Sequence, residues 1–229
     1  MLAQSMAPAG ILESIGRWFV RSCFLIGLFA FSPSFALATD GANATPAKTV
    51  VVLGDSLAAG YGVEPQEAFP ALLQQKVDAA GLKWTVVNAG VSGNTSADGL
   101  ARIDWLLKRR IDVLLLELGG NDGLRGQSVS AMRDNLQGII DRVKQRYPQA
   151  RIIVAGMRLP PNLGPDYTTA FRNVFPELAE KNKAALVPFL LEGVGGKPQL
   201  NQSDHIHPTA AGHKIIAETV WNILKPQLD

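Results

Sequence analysis

From Thr49 onward the chain repeats one pattern: an apolar run of strand length, then a longer stretch with apolar residues at helical spacing. The runs are Thr49–Leu53, Trp84–Val87, Val113–Leu116, Ile152–Ala155 and Ala185–Val187. The helical stretches are Pro70–Ala80, Ser96–Lys108, Val129–Tyr147 and Thr168–Lys183. Pro208–Leu224 is a final helix, with Ile215, Ile216, Val220 and Ile223 on its predicted buried face. Strands apolar at successive positions, rather than alternate ones, are covered on both faces. Their alternation with helices predicts a single-domain α/β fold, a parallel sheet between two helix layers. In such sheets ligands sit beyond the carboxyl ends of the strands. Ser56, Gly90 and Asn121 each follow the end of a different predicted strand.

The first 38 residues obey another pattern. Arg17 and Arg21 precede Cys23–Phe31, an apolar run far shorter than the roughly 20 residues a membrane-spanning helix needs. Ser32-Pro33-Ser34 breaks the run, and Ala36-Leu37-Ala38 puts small residues at both cleavage-determining positions. We expect residues 1–38 to be a signal peptide cleaved after Ala38, the alternative being an uncleaved anchor. Residues 39–47 read as a flexible leader and 48–229 as one domain, roughly 190 residues being enough for a sizeable core. Cleavage removes Glu13, Arg17 and Arg21, so the formal charge falls from +2 to +1, too balanced to predict nucleic acid or an anionic membrane as partner. The one cysteine, Cys23, leaves with the signal, so disulfide pairing is not an issue in an oxidising compartment. The expected location is the periplasm or the medium, with membrane contact confined to the signal peptide.

Three short segments carry candidate chemistry: Gly54-Asp55-Ser56-Leu57, Gly119-Gly120-Asn121-Asp122 and Asp204-His205-Ile206-His207-Pro208. A hydroxyl is a poor nucleophile until a base takes its proton, and the base needs a third group to fix its tautomer. Ser56 is the candidate nucleophile, His207 the base and Asp204 the orienting carboxylate. The Ser56 and Gly90 N–H groups and the Asn121 amide are candidate oxyanion donors. Each also has a structural use. A serine after a strand commonly caps the next helix, and Gly-Gly-Asn-Asp-Gly is a turn by composition. Asp122 competes as the acid, but Asp204 is tied in sequence to His207. Pro208 is expected in the first turn of the last helix. Asp204, His205, His207 and His213 also make a possible metal-ligand set, which would leave Ser56, Gly90 and Asn121 without a role.

The order and wording of these segments resemble the SGNH (GDSL) hydrolase family. Val87-Asn88-Ala89-Gly90-Val91-Ser92-Gly93 resembles its second block, Gly119–Asp122 its third and Asp204-x-x-His207 its last. Gly54–Gly62 looks like the bacterial periplasmic thioesterase, lysophospholipase and arylesterase subgroup, and the likeness runs from about Thr49 to Leu224. His205 stands where the family commonly has glycine, and is expected to be solvent-exposed. The resemblance implies a flavodoxin-like three-layer sandwich whose five-stranded sheet has order 2-1-3-4-5. It implies a monomeric serine hydrolase with no metal and no organic cofactor. Its substrates would be small acyl esters, aryl esters, acyl thioesters or lysolipids. It also implies that the region of Met157, Leu159 and Pro160, with Leu190 and Leu191, receives the acyl chain. A carbohydrate O-acetylesterase on the same fold, or a non-catalytic lipid-binding protein of the envelope, is the alternative.

Overall fold

The computed structural model describes residues 47–229. The expected signal peptide, its cleavage site and nearly all of the expected leader lie outside the described residues. Five strands form one parallel sheet in order 2-1-3-4-5: β1 (Lys48–Gly54), β2 (Trp84–Gly90), β3 (Val113–Glu117), β4 (Arg151–Ala155) and β5 (Ala185–Val187). Val50–Leu53 and Val113–Leu116 are buried throughout, as their unbroken apolar runs predict. The helices are α1 (Ser56–Ala59), α2 (Phe69–Ala79), α3 (Ser96–Leu106), α4 (Gly120–Leu124), α5 (Val129–Arg146), α6 (Pro165–Asn182) and α7 (Ala210–Leu224). α3, α5 and α6 pack side by side, and α2 packs on α7, giving a helix layer for each face of the sheet.

The sheet register fixes the functional edge. Gly54 at the end of β1 lies level with Gly90 of β2 and with Glu117 of β3. Chain leaving β1 turns toward β2 and chain leaving β3 turns toward β4, so a crevice opens between their carboxyl ends.

Several expectations shift. β2 continues three residues past Val87, because Asn88-Ala89-Gly90, turn formers by composition, pair with Val52-Leu53-Gly54. α1 and α4 are too short to leave a periodic signature, and Gly-Gly-Asn-Asp-Gly, a turn by composition, opens α4. α7 starts after Thr209, whose hydroxyl accepts from Gly212 N–H, so Pro208 precedes the cap instead of sitting in the first turn. Ile215 and Ile223 are only partly buried, while Ile216, Ala217, Val220 and Leu224 form the inner face. Trp105 is 61% exposed and lies under the Arg109 guanidinium. Trp84 is buried, its indole N–H donating to the Leu228 carbonyl at 3.0 Å.

α2 has no side-chain cap of its own, since Ala68 holds the cap position. His213 of α7 supplies one from outside: its Nδ1 accepts the Phe69 N–H at 3.3 Å, and its ring stacks on the Phe69 ring. An accepting Nδ1 puts the proton of the neutral ring on Nε2, which is buried without a partner among the described residues. Burial pushes the His213 pKa down to about 4. Between its ordinary value of 6.5 and about 4 the unfolded chain takes up a proton that the folded chain refuses. Stability from this group is therefore present above that window and lost as pH falls through it. Denaturant titrations from pH 7 to pH 4 should show a shallower loss of stability in His213→Asn, whose side-chain oxygen can still accept from Phe69. Equal slopes in the two proteins would remove His213 from the acid response.

Candidate active site

The nucleophile turn is built by hydrogen bonds that begin where β1 ends. Asp55 caps α1, its Oδ1 accepting the Leu57 N–H at 3.0 Å. Ser56 therefore stands in the first turn, its own N–H outside the helical ladder and its hydroxyl at the mouth of the crevice. Only glycine fits at 54: a Cβ there would lie 2.2 Å from Glu117 Oε2 and 2.6 Å from the Ala58 Cβ.

The loop after β5 brings the histidine to this serine. His207 Nε2 is 2.9 Å from Ser56 Oγ, and His207 Nδ1 is 2.7 Å from Asp204 Oδ2. Asp204 Oδ1 also accepts the N–H groups of Ile206 and His207, at 2.9 and 3.0 Å. These bonds, the one from the His207 ring first, hold the Asp204 carboxyl well below the usual carboxylate range. An ionised Asp204 can only accept, so Nδ1 carries the proton and Nε2 is free to accept from the serine hydroxyl. Three residues expected to act together, Ser56, His207 and Asp204, are thus brought into hydrogen-bond contact. His205 is exposed with φ of +60°, a left-handed conformation that glycine adopts more readily. His213 is buried against α2, so the three histidines clustered in sequence do not converge on one point.

Asn121, the second residue of α4, lies across the crevice. Its amide donates to Asp55 Oδ2 at 3.2 Å and to the Asn94 carbonyl at 3.0 Å. Asp122 is not near His207 in hydrogen-bond terms. Its carboxylate takes the Ser96 N–H at 2.8 Å and the Ser96 hydroxyl at 2.5 Å, fastening α4 to α3. Gly90 departs from expectation. As the last residue of β2 it presses on α1, where a Cβ would meet Ala59 N at 2.3 Å. Its N–H already donates to Asn88 Oδ1 at 2.9 Å, so it does not stand free for an oxyanion. Three residues on, Gly93 has an N–H with no partner among the described residues, next to the Asn94 carbonyl that touches Asn121.

Sequence reasoning missed several supports. Arg102 of α3 donates to the Gly54 and Ala89 carbonyls, at 3.1 and 2.7 Å, and to Asn94 Oδ1, tying two strand ends to the glycine loop. Gln202 donates to the Tyr61 carbonyl at 2.7 Å and the Pro208 carbonyl at 3.0 Å, joining the loops that flank the site. The Tyr61 ring lies 4.6 Å from that of His207. Nothing in the local sequence marks either polar residue, because both act on backbone carbonyls far away in the chain.

The expected acyl-chain region divides. Leu190 is wholly buried and Met157 nearly so, which makes them core rather than groove. Leu159 is half-buried against Gly123, and Pro160 is exposed. Of the five exposed large apolar side chains among the described residues, four instead follow strand ends or flank the histidine: Tyr61 after α1, Val91 after β2, Leu124 at the end of α4 and Ile206 beside His207; the fifth, Trp105, lies on α3.

Residues 52–215 match the GDSL-like lipase/acylhydrolase family. The chain is 44% identical over 183 residues to the esterase TesA of Pseudomonas aeruginosa, covering 80% of this chain and 90% of that protein. It is 39% identical over 215 residues to thioesterase 1/protease 1/lysophospholipase L1 of Escherichia coli, covering 93% and 95%. A crystal structure of TesA superposes with a TM-score of 0.76 at 42% identity, covering 79% of this chain and all of that one. A family match across most of the chain, joined to the GDSL turn at the end of β1, makes this protein a member of the GDSL-like lipase/acylhydrolase family.

Proposed function

We propose that this protein is an exported serine esterase that hydrolyses carboxylic esters and thioesters through an acyl-enzyme on Ser56. The observation carrying this reading is the hydrogen-bonded series Ser56, His207, Asp204, with contacts of 2.9 and 2.7 Å. His207 Nε2 takes the hydroxyl proton as Ser56 Oγ attacks the acyl carbonyl, and Asp204 steadies the imidazolium that forms. The alcohol or thiol leaves with that proton. Water, deprotonated by His207, then attacks the acyl-enzyme, and Ser56 regains its proton as the acid departs.

The oxyanion donors in this reading are the Ser56 N–H, the Asn121 amide and the Gly93 N–H, which takes the role expected of Gly90. In the free enzyme Asn121 donates to a neutral carbonyl, Asn94, and a charged oxyanion is the stronger acceptor. That exchange occurs only as charge develops, which is when an interaction lowers the barrier. The exposed rim of Tyr61, Val91, Leu124 and Ile206 supports apolar acyl or aryl substrates over acetylated sugars. The names of the relatives, esterase and thioesterase/lysophospholipase, support the same substrate range. Export rests on residues 1–38, and the single cysteine within them suits an oxidising compartment.

Hydrolysis of p-nitrophenyl esters from acetate to palmitate, with chelator present, tests the mechanism. Ser56→Ala should abolish turnover in a folded protein. Asp204→Asn should lower kcat by roughly 100- to 10,000-fold with little change in KM. Asn121→Ala should cost about 100- to 1,000-fold in kcat. Wild-type activity in Ser56→Ala would move the nucleophile elsewhere, and chelator-sensitive turnover would overturn the metal-free mechanism.

The same series tests the rim. Leu124→Ser should raise KM for long-chain esters more than for acetate, each lost methylene contact contributing about 0.8 kcal/mol at most. An equal effect at every chain length would place the acyl chain away from α4.

A further inference from the structure

Directly beneath the nucleophile turn sits a carboxyl that the mechanism above does not use. Glu117, the last residue of β3, has no exposed surface, and Asp55 beside it is nearly as buried. Glu117 Oε2 accepts the Asp55 N–H at 3.1 Å, whereas Oε1 has no donor among the described residues and is buried. Neither Lys nor Arg bonds to it among the described residues, Arg102 spending its donors on carbonyls and Asn94. A buried carboxylate without a cation is costly, and a second carboxyl alongside makes it more so. A protonated Glu117 escapes that cost but brings an O–H that needs an acceptor, and the residue bonded to it, Asp55, carries a buried carboxyl of its own. Burial first, and Asp55 second, push the Glu117 carboxyl well above the usual range.

We propose that Glu117 is a positioning residue: it donates a shared proton to Asp55 and so fixes both the Ser56 turn and the Asn121 amide. The path is short. Asp55 Oδ1 holds the Leu57 N–H at the start of α1, and Asp55 Oδ2 holds the Asn121 amide at 3.2 Å. With the Glu117 O–H in place, the Asp55 carboxylate has one orientation that satisfies Glu117, Leu57 and Asn121 together. Without it, the Asp55 carboxylate loses a buried partner and rotates, carrying the Asn121 amide with it. The glycine of the GDSL turn follows from the same contact, since the Glu117 carboxyl fills the space a Cβ at 54 would need. Glu117 touches no substrate; it acts through Asp55 and Asn121.

This inference rests on the esterase reading for its kinetic arm and stands apart from it in a spectroscopic one. Glu117→Gln keeps an N–H donor toward Asp55 and an acceptor for its backbone N–H, so kcat should stay within about threefold of wild type. Glu117→Met fills the volume without a donor. Its kcat should fall about 10- to 100-fold at unchanged KM, in protein shown by circular dichroism to be folded. The infrared difference between wild type and Glu117→Gln at neutral pH should contain a carboxylic-acid C=O stretch. Absence of that band overturns the shared proton. Equal losses in the Gln and Met variants overturn the donor role, and a Met variant with a lowered melting temperature but normal kcat overturns positioning. A wild type that hydrolyses no ester overturns the esterase reading instead, and the infrared band then decides this proposal alone.

Discussion

Everything at the functional edge depends on the parallel pairing of β1 with both of its neighbours. Parallel ladders fix register residue by residue, and here they bring Gly54, Gly90 and Glu117 to one level. The segments that follow these strands start from that level, so residues more than sixty positions apart meet within hydrogen-bond distance. A slip of one residue in β1 would turn Asp55 away from Glu117 and Asn121, and would swap the helix layer against which each buried side chain of the strand packs. The burial of Val50–Leu53 on both sides therefore also protects the position of Ser56. Arg102 reinforces the register beside the edge strand by bonding carbonyls of β1 and β2 together.

The site holds three carboxyl groups in two opposite environments. Asp204 is partly open to solvent and receives three N–H donors, which favour its charged form. Asp55 and Glu117 lie in the interior, where burial raises both. The division matches what each must do. An ionised Asp204 can hold the His207 Nδ1 proton, and a protonated Glu117 can donate where no backbone N–H points. Groups of one chemical type, driven apart in protonation by their surroundings, let a single fold hold an acceptor and a donor around the same serine.

The sequence made the sheet legible because burial on both faces demands unbroken apolar runs, and all five strands were visible as such. Ser56, His207 and Asp204 were legible because their types are needed together and each lies after a strand or before a helix. Gly90 was misread for a physical reason: glycine serves close packing as well as anion binding, and only the structure shows its N–H bonded to Asn88 and its Cα against α1. Glu117 was overlooked because it ends an apolar run, where a charged type ordinarily marks the return to solvent; its burial follows from pairing with β1, a relation between distant segments.

No strand holds His207, so its position rests on the loop between β5 and α7. That loop is bound by Gln202 to the Tyr61 segment, by backbone bonds between residues 202, 205 and 207, and by Asp204 to the two N–H groups beyond it. It also tolerates a left-handed His205, a conformation that costs an ordinary residue about 1–2 kcal/mol and persists only where the surroundings over-determine it. The strand-borne parts of the site share the stability of the whole sheet, while the histidine shares only that of its loop. Local openings of such segments require less free energy than global unfolding. The His207–Ser56 contact is thus expected to open before the strand-borne parts of the site separate, with the hydrogen bonds of Gln202 and Asp204 opposing that opening.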